Sequence, residues 1–203
     1  MINESVLRSI RFIKSAKDLK GCPAPDLPEV AIAGRSNAGK SSFINALGLS
    51  LVAKVSGRPG KTRLLNFFLI GDHYRLVDMP GYGYAARSGA EVESWRQMVE
   101  SYLALRGSLQ GLVLIMDIRR QWTAQEQELV DWVSQRSMPV VVVLNKADKV
   151  GNNEKAKVLR DLKAKAVGVS QVFVVSASKR LGVTEVEEFV FKNWIKQRHG
   201  GEA

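Results

Sequence analysis

The residues best suited to chemistry lie in the run Gly34-Arg35-Ser36-Asn37-Ala38-Gly39-Lys40-Ser41. Its spacing is G-x-x-x-x-G-K-[ST], in which each residue type has a physical part in holding phosphate. Gly34 and Gly39 let the backbone bend and bring successive N–H groups against phosphate oxygens, where a Cβ would obstruct them. Lys40 can reach the terminal phosphates as a compact charge, and the Ser41 hydroxyl can ligate Mg²⁺. A second run, Asp78-Met79-Pro80-Gly81, sets a carboxylate that can hold Mg²⁺, directly or through water, before a glycine N–H that can sense a γ-phosphate. A third, Asn145-Lys146-Ala147-Asp148, ends in a carboxylate that can accept hydrogen bonds from the N1–H and 2-amino group of guanine. Adenine offers neither in that geometry and would leave the carboxylate unpaired. Asn145 would brace the loop, and the Lys146 stem can lie along the base. Ser176-Ala177-Ser178 can present the Ala177 N–H to guanine O6.

These runs need elements to carry them. Glu29–Ala33 is a short apolar run that predicts a buried strand leading into the first loop. Phe43, Ile44 and Leu47 follow at helical spacing, so a helix beginning around Lys40 would point its positive dipole end at the phosphates. Asn66–Ile70 and Tyr74–Met79, separated by Gly71-Asp72-His73, predict a hairpin. Val92, Trp95, Val99, Tyr102 and Leu103 predict a helix ending at Gly107. Gly111–Asp117 and Pro139–Asn145 predict strands, the second built on a continuous β-branched run of four valines, as a strand buried on both faces should be. Thr123 with Glu126 predicts a capping box opening a helix, and Thr184 with Glu187 predicts another. Between them lie a lysine-rich helix from Asn153 to Gly168 and a strand over Gln171–Val175. Strands alternating with helices imply an α/β fold of three layers, a mostly parallel sheet of about six strands with one antiparallel strand and helices on both faces.

Composition sets the remaining limits. The 203 residues suit one domain, with 45% hydrophobic and 25% charged content. Residues 1–28 read as a basic lead-in packing on the domain, with Leu7–Lys14 as an extended edge segment or short helix. Residues 29–199 read as the domain itself and 200–203 as a short tail. No apolar run reaches membrane-spanning length, no secretory signal is evident, and Cys22 is the only cysteine. A cytoplasmic location is the expectation, and a monomer, since no leftover apolar face advertises a dimer. The net charge of +10 favours a polyanionic partner beyond one nucleotide.

Taken in order, G-R-S-N-A-G-K-S, G-K-T, D-M-P-G-Y-G-Y, N-K-A-D and S-A-S resemble a translation-factor-class small GTPase, most specifically the bacterial EngB family, over about Phe12 to Trp194. The resemblance implies GTP and GDP as ligands, slow GTP hydrolysis with Mg²⁺, a role in assembly of the large ribosomal subunit through that particle or its RNA, and an association with cell division and septation. It makes Gly60-Lys61-Thr62-Arg63-Leu64 a switch segment in which Thr62 would ligate Mg²⁺ beside Ser41. Lys40, Thr62 and Gly81 would carry the chemistry. Tyr82 stands where related enzymes carry a water-orienting glutamine, which implies slow turnover. Asn37 stands where potassium-activated GTPases use an asparagine to hold K⁺. Two other classes remain as alternatives: a small-molecule kinase, and a division-associated scaffold in which the nucleotide is mainly structural.

Overall fold

The computed structural model describes residues 9–48, 64–82 and 89–196. Among these residues, seven strands form one sheet: β1 (Ile10–Ala16), β2 (Glu29–Gly34), β3 (Leu65–Ile70), β4 (Tyr74–Asp78), β5 (Leu109–Asp117), β6 (Val140–Asn145) and β7 (Gln171–Val174). Five α-helices accompany them: α1 (Lys40–Leu47), α2 (Gly89–Leu105), α3 (Ala124–Ser134), α4 (Asn152–Lys165) and α5 (Val183–Val190), the last continuing into a π-helical turn over Phe191–Ile195.

The strand order is β1-β3-β4-β2-β5-β6-β7. Strands β4, β2, β5, β6 and β7 run parallel, and β3 is antiparallel to both of its neighbours, β1 and β4. The α/β architecture expected from the alternating pattern is therefore the one found. The seventh strand is the difference. It comes from the basic lead-in, which pairs Ile10 with Ile70 and Ala16 with Leu65 across a register shift between Phe12 and Lys14. Its burial pattern explains why periodicity left it open between an extended edge segment and a short helix, because only Ile10 and Ala16, at its two ends, are buried.

The hairpin between β3 and β4 turns on Gly71 and Asp72, whose φ values of 49° and 59° match the twist of the flanking strands. Both faces of the sheet are covered. Val140, Val142 and Leu144 of β6 pack into one core with Tyr102 and Leu129, while Val141 and Val143 pack into the other with Phe43 and Val186. The capping box on α3 is present at Thr123 and Glu126. The one expected at Thr184 is not, because α5 begins two residues earlier, at Val183, capped by Gly182 at φ 74°. Helix α4 ends at Lys165, before Gly168. Among the described residues, no helix is long and apolar enough to cross a membrane.

Candidate functional site

Parallel strands deliver their carboxyl ends to one edge of the sheet, the place where open α/β sheets bind ligands. Four of the runs singled out above arrive there. The Gly34–Ser41 run leaves β2 and enters α1 through Gly39 at φ 97°. A Cβ on Gly34 would lie 2.3 Å from the Ile115 carbonyl oxygen, and one on Gly39 would lie 2.2 Å from Asn145 Nδ2, so close packing demands glycine at both. The edge is built as tightly as the motif requires.

Asn145 ends β6 and is buried. Its Nδ2 donates to the Ala38 carbonyl at 3.0 Å, and its Oδ1 accepts from the Ala177 N–H at 3.1 Å. One amide thus joins the phosphate loop, the N-K-A-D run and the S-A-S run. The Ala177 N–H, expected to face a base oxygen, donates to Asn145 Oδ1 in this structure. Lys146, held at φ 63°, reaches back to donate to the Asn37 carbonyl at 2.7 Å and pairs with Asp117 at 3.0 Å. Asp148 accepts from Ser176 Oγ at 2.6 Å and Ser178 Oγ at 3.3 Å and pairs with Lys149 at 3.2 Å. The Ser176 hydroxyl, ahead of Lys149, holds its carboxyl down at about 2, so it is ionised at neutral pH.

The Asp78–Gly81 run meets the same loop from the other side. A Cβ on Gly81 would lie 3.1 Å from Ser36 N and 3.2 Å from Lys40 Nζ, and the Ser36 N–H donates to the Tyr82 carbonyl at 3.0 Å. Lys40 is buried, with Nζ 3.4 Å from the Gly34 carbonyl oxygen. Asp78 is buried too, and its Oδ1 has no hydrogen-bond partner among the described residues. Burial raises its pKa to about 6, against the pull of Lys40. Pro80 accepts from Trp95 Nε1 at 2.8 Å, and Met79 is buried beneath the run.

Tyr82 is buried with its hydroxyl donating to Glu126 Oε1 at 2.9 Å, and burial, then Glu126, pushes its pKa up. Arg35 stands over the Tyr82 ring and pairs with the same carboxylate at 3.1 Å. Glu126 read from the sequence as a capping residue only. Its second part, tying Arg35 to Tyr82, links positions 91 and 44 residues away and leaves no local signature. Gly60, Lys61, Thr62 and Arg63 lie outside the described residues; Leu64 stands exposed just before β3.

A family model described as "50S ribosome-binding GTPase" matches residues 29–146. "Probable GTP-binding protein EngB" of Bdellovibrio bacteriovorus is 53% identical over 190 residues, covering 94% of each chain. The chain belongs to the EngB family. A protein of the same description from Pelotomaculum thermopropionicum is 44% identical, over 76% of this chain and 78% of its own. Among solved structures, a probable GTP-binding protein engB superposes with a TM-score of 0.66 at 22% identity, covering 81% of this chain and 97% of that one. A variant of Era from Aquifex aeolicus, bound to GDP.AlF4-, gives 0.68 at 24% identity, covering 83% and 57%. At those identities the two structures speak for the fold alone. Membership of the EngB family makes this chain a GTP-binding protein with a GTPase domain.

Proposed function

We propose that this EngB-family chain is a GTP-driven switch that acts in assembly of the large ribosomal subunit and is needed for normal cell division and septation. The observation that carries the reading is the meeting of two further runs on the phosphate loop. Asn145 and Lys146 hold the carbonyls of Ala38 and Asn37, while Gly81 lies against Ser36 and Lys40. A loop braced on its base-reading side and touched on its γ-phosphate side can report the state of its ligand to both.

In this reading the backbone N–H groups from Arg35 to Ser41 and the Lys40 ammonium bind the phosphates, and Asp148 reads guanine. Ser176 and Ser178 both donate to Asp148 Oδ1, and the ionised carboxylate keeps acceptor capacity for a base. Mg²⁺ fits the residues present, because a buried carboxylate oxygen without a partner among the described residues, next to the phosphate loop, is the hard anionic donor that this ion prefers. Ser41 and Thr62 would ligate it, with Asp78 behind them, and the bound ion would offset charge on the β- and γ-oxygens. Gly81 would offer its N–H to the γ-phosphate, a contact that hydrolysis removes. The buried Tyr82 hydroxyl is engaged by Glu126, so it does not activate water and intrinsic hydrolysis is slow. Asn37, with its carbonyl pinned by Lys146, is the candidate to hold K⁺. Hydrolysis faster in potassium than in sodium buffer is the expected result, and equal rates would remove that cation from the scheme.

The ribosomal part draws support from the description of the matched family and from the net charge of +10. Its test is sedimentation of cell extract through a sucrose gradient at moderate salt, with either GDP or a non-hydrolysable GTP analogue. Co-migration with large-subunit particles in the analogue but not in GDP is expected. Lys40→Ala and Thr62→Ala should both abolish it, whereas a scaffold with a structural nucleotide would tolerate the second. Migration as a free small protein in both nucleotides would overturn the ribosomal reading.

A further inference from the structure

Alongside the phosphate loop lies a recess of about 260 Å³ whose wall includes Arg35, Asn37, Asp117, Arg119, Arg120 and Lys146, with Glu126 beside them. It is not the cradle itself. Among the described residues, Lys40, Ser41, Asp78 and Asp148 do not line it. It opens instead between the outer side of the loop, the end of β5 and the start of α3.

The charges in it do not balance. Arg35, Arg119, Arg120 and Lys146 make four cations against the two carboxylates of Asp117 and Glu126. Each carboxylate is already shared. Asp117 accepts from Arg119 at 2.9 and 2.6 Å and pairs with Lys146 at 3.0 Å, and the Arg119 guanidinium, more than Lys146, holds its carboxyl well below the usual range. Glu126 serves Tyr82, Arg35 and the Thr123 N–H. Arg35 Nε is buried and 3.1 Å from Glu126, yet its N–H is not aligned for a hydrogen bond. Arg120 is exposed, and its guanidinium pairs with no group among the described residues. Arg35 Nη2 also donates to Gln125 Oε1 at 2.7 Å, and the Nε and Nη2 of Arg119 are engaged by Asp117. The surplus donors are therefore the fork of Arg120 and the remaining N–H groups of Arg35 and Arg119, which suit phosphate oxygens.

The volume selects what can enter. Pockets for whole small ligands run to about 300 Å³ and above, so this one seats a single group of a larger molecule. A chain carrying +10 finds its best match in a polymer with one phosphate per nucleotide. We propose that the recess seats a backbone phosphate of an RNA partner, with Arg119 and Arg120 donating from the rim and Arg35 from the inner wall. The proposal rests on the ribosomal reading above and gives that partner a contact point. Arg35 and Lys146 also support the phosphate loop, so occupancy of the recess bears on the loop, and by reciprocity the loop's ligand bears on RNA affinity.

Arg120→Glu tests this, since an exposed side chain without an ion pair among the described residues can be reversed without disturbing the fold. The variant and the parent chain would be compared for binding to a short single-stranded RNA, to purified large-subunit particles, to polyglutamate and to fluorescent GDP. The expected result is an approximately ten-fold loss of RNA and particle affinity, a salt slope shallower by about one, and unchanged GDP affinity. Arg120→Lys should recover most of the loss. RNA and particle binding equal to the parent's would overturn the recess while leaving the ribosomal reading standing. A parent that ignores particles but loses RNA on Arg120→Glu would sink the ribosomal reading and keep the recess. If only polyglutamate binding falls, the occupant is an acidic protein and the assignment to RNA is wrong.

Discussion

Asn145 shows how much one side chain can hold. Its donor is on Ala38 and its acceptor on Ala177, so Asn145→Ala leaves a buried carbonyl and a buried N–H without partners. Each orphan costs about 1–3 kcal/mol, and both belong to loops expected to touch the nucleotide. GDP affinity measured by calorimetry should fall between about ten- and hundred-fold. Asp78 works in the opposite direction, its native environment opposing its charge. Burial raises its pKa from 3.8 to about 6, so the folded chain binds the proton more tightly than the unfolded one. The stability this contributes is fully present below about pH 4 and is lost as pH rises through 6. Nucleotide-free Asp78→Asn should therefore melt above the parent at pH 8, by on the order of 2–3 kcal/mol, with the gain gone near pH 4. The same variant should lose the tightening that Mg²⁺ gives to nucleotide binding. For Tyr82, removal of its bond to Glu126 in Tyr82→Phe should cost about 1 kcal/mol in a denaturant titration and leave nucleotide affinity intact.

Among the elements, local rules were read well where the signal was local. The Gly71-Asp72-His73 turn and the Thr123–Glu126 cap needed only their own neighbours, and both formed. Thr184 misled because the same cap pattern can lie one residue inside a helix that a glycine opens. The edge strand β1 stayed ambiguous since most of it faces solvent and its partner β3 begins 49 residues after β1 ends. Hardest to see was the knot at the far end of the sheet. Glu29, which starts β2, is fully buried and accepts from Tyr102 at 2.9 Å, from Arg106 at 2.8 and 2.5 Å, and from Arg75 at 3.5 Å. These partners lie 46 to 77 residues away, so nothing in the strand's own pattern announces them. Glu29→Ala would leave the buried Arg106 guanidinium without its carboxylate, while Arg75 keeps Asp26. A loss of about 3–5 kcal/mol is expected, read as a lower urea midpoint with unchanged slope.

For the molecule as a whole, the order of the motifs was the informative feature. In a parallel sheet every strand ends at the same edge, so runs placed after β2, β4, β6 and β7 converge whatever their separation in sequence. That is why the meeting of Asn145 with Ala38 could be anticipated 107 residues apart. The pairing of Arg35 with Glu126 could not, because no repeating geometry links the first turn of α3 to the phosphate loop. Charge behaves the same way: +10 was visible from composition, but where it gathers depended on Arg119 and Arg120 emerging beside Arg35.

Strand β1 has a practical consequence for anyone cutting this chain down. The matched family region begins at residue 29 and stops at 146, which makes it a tempting fragment to express. Such a fragment would bare the backbone of β3 along its whole length at one side and of β6 at the other, and strip Val186 and Val190 from the second core. Two open hydrophobic borders invite pairing between copies. The fragment should precipitate or form oligomers on size exclusion, whereas a chain trimmed only at residues 1–8 and 197–203 should elute as the intact one does. For solubility, the useful unit is wider than the region that relatives make recognisable.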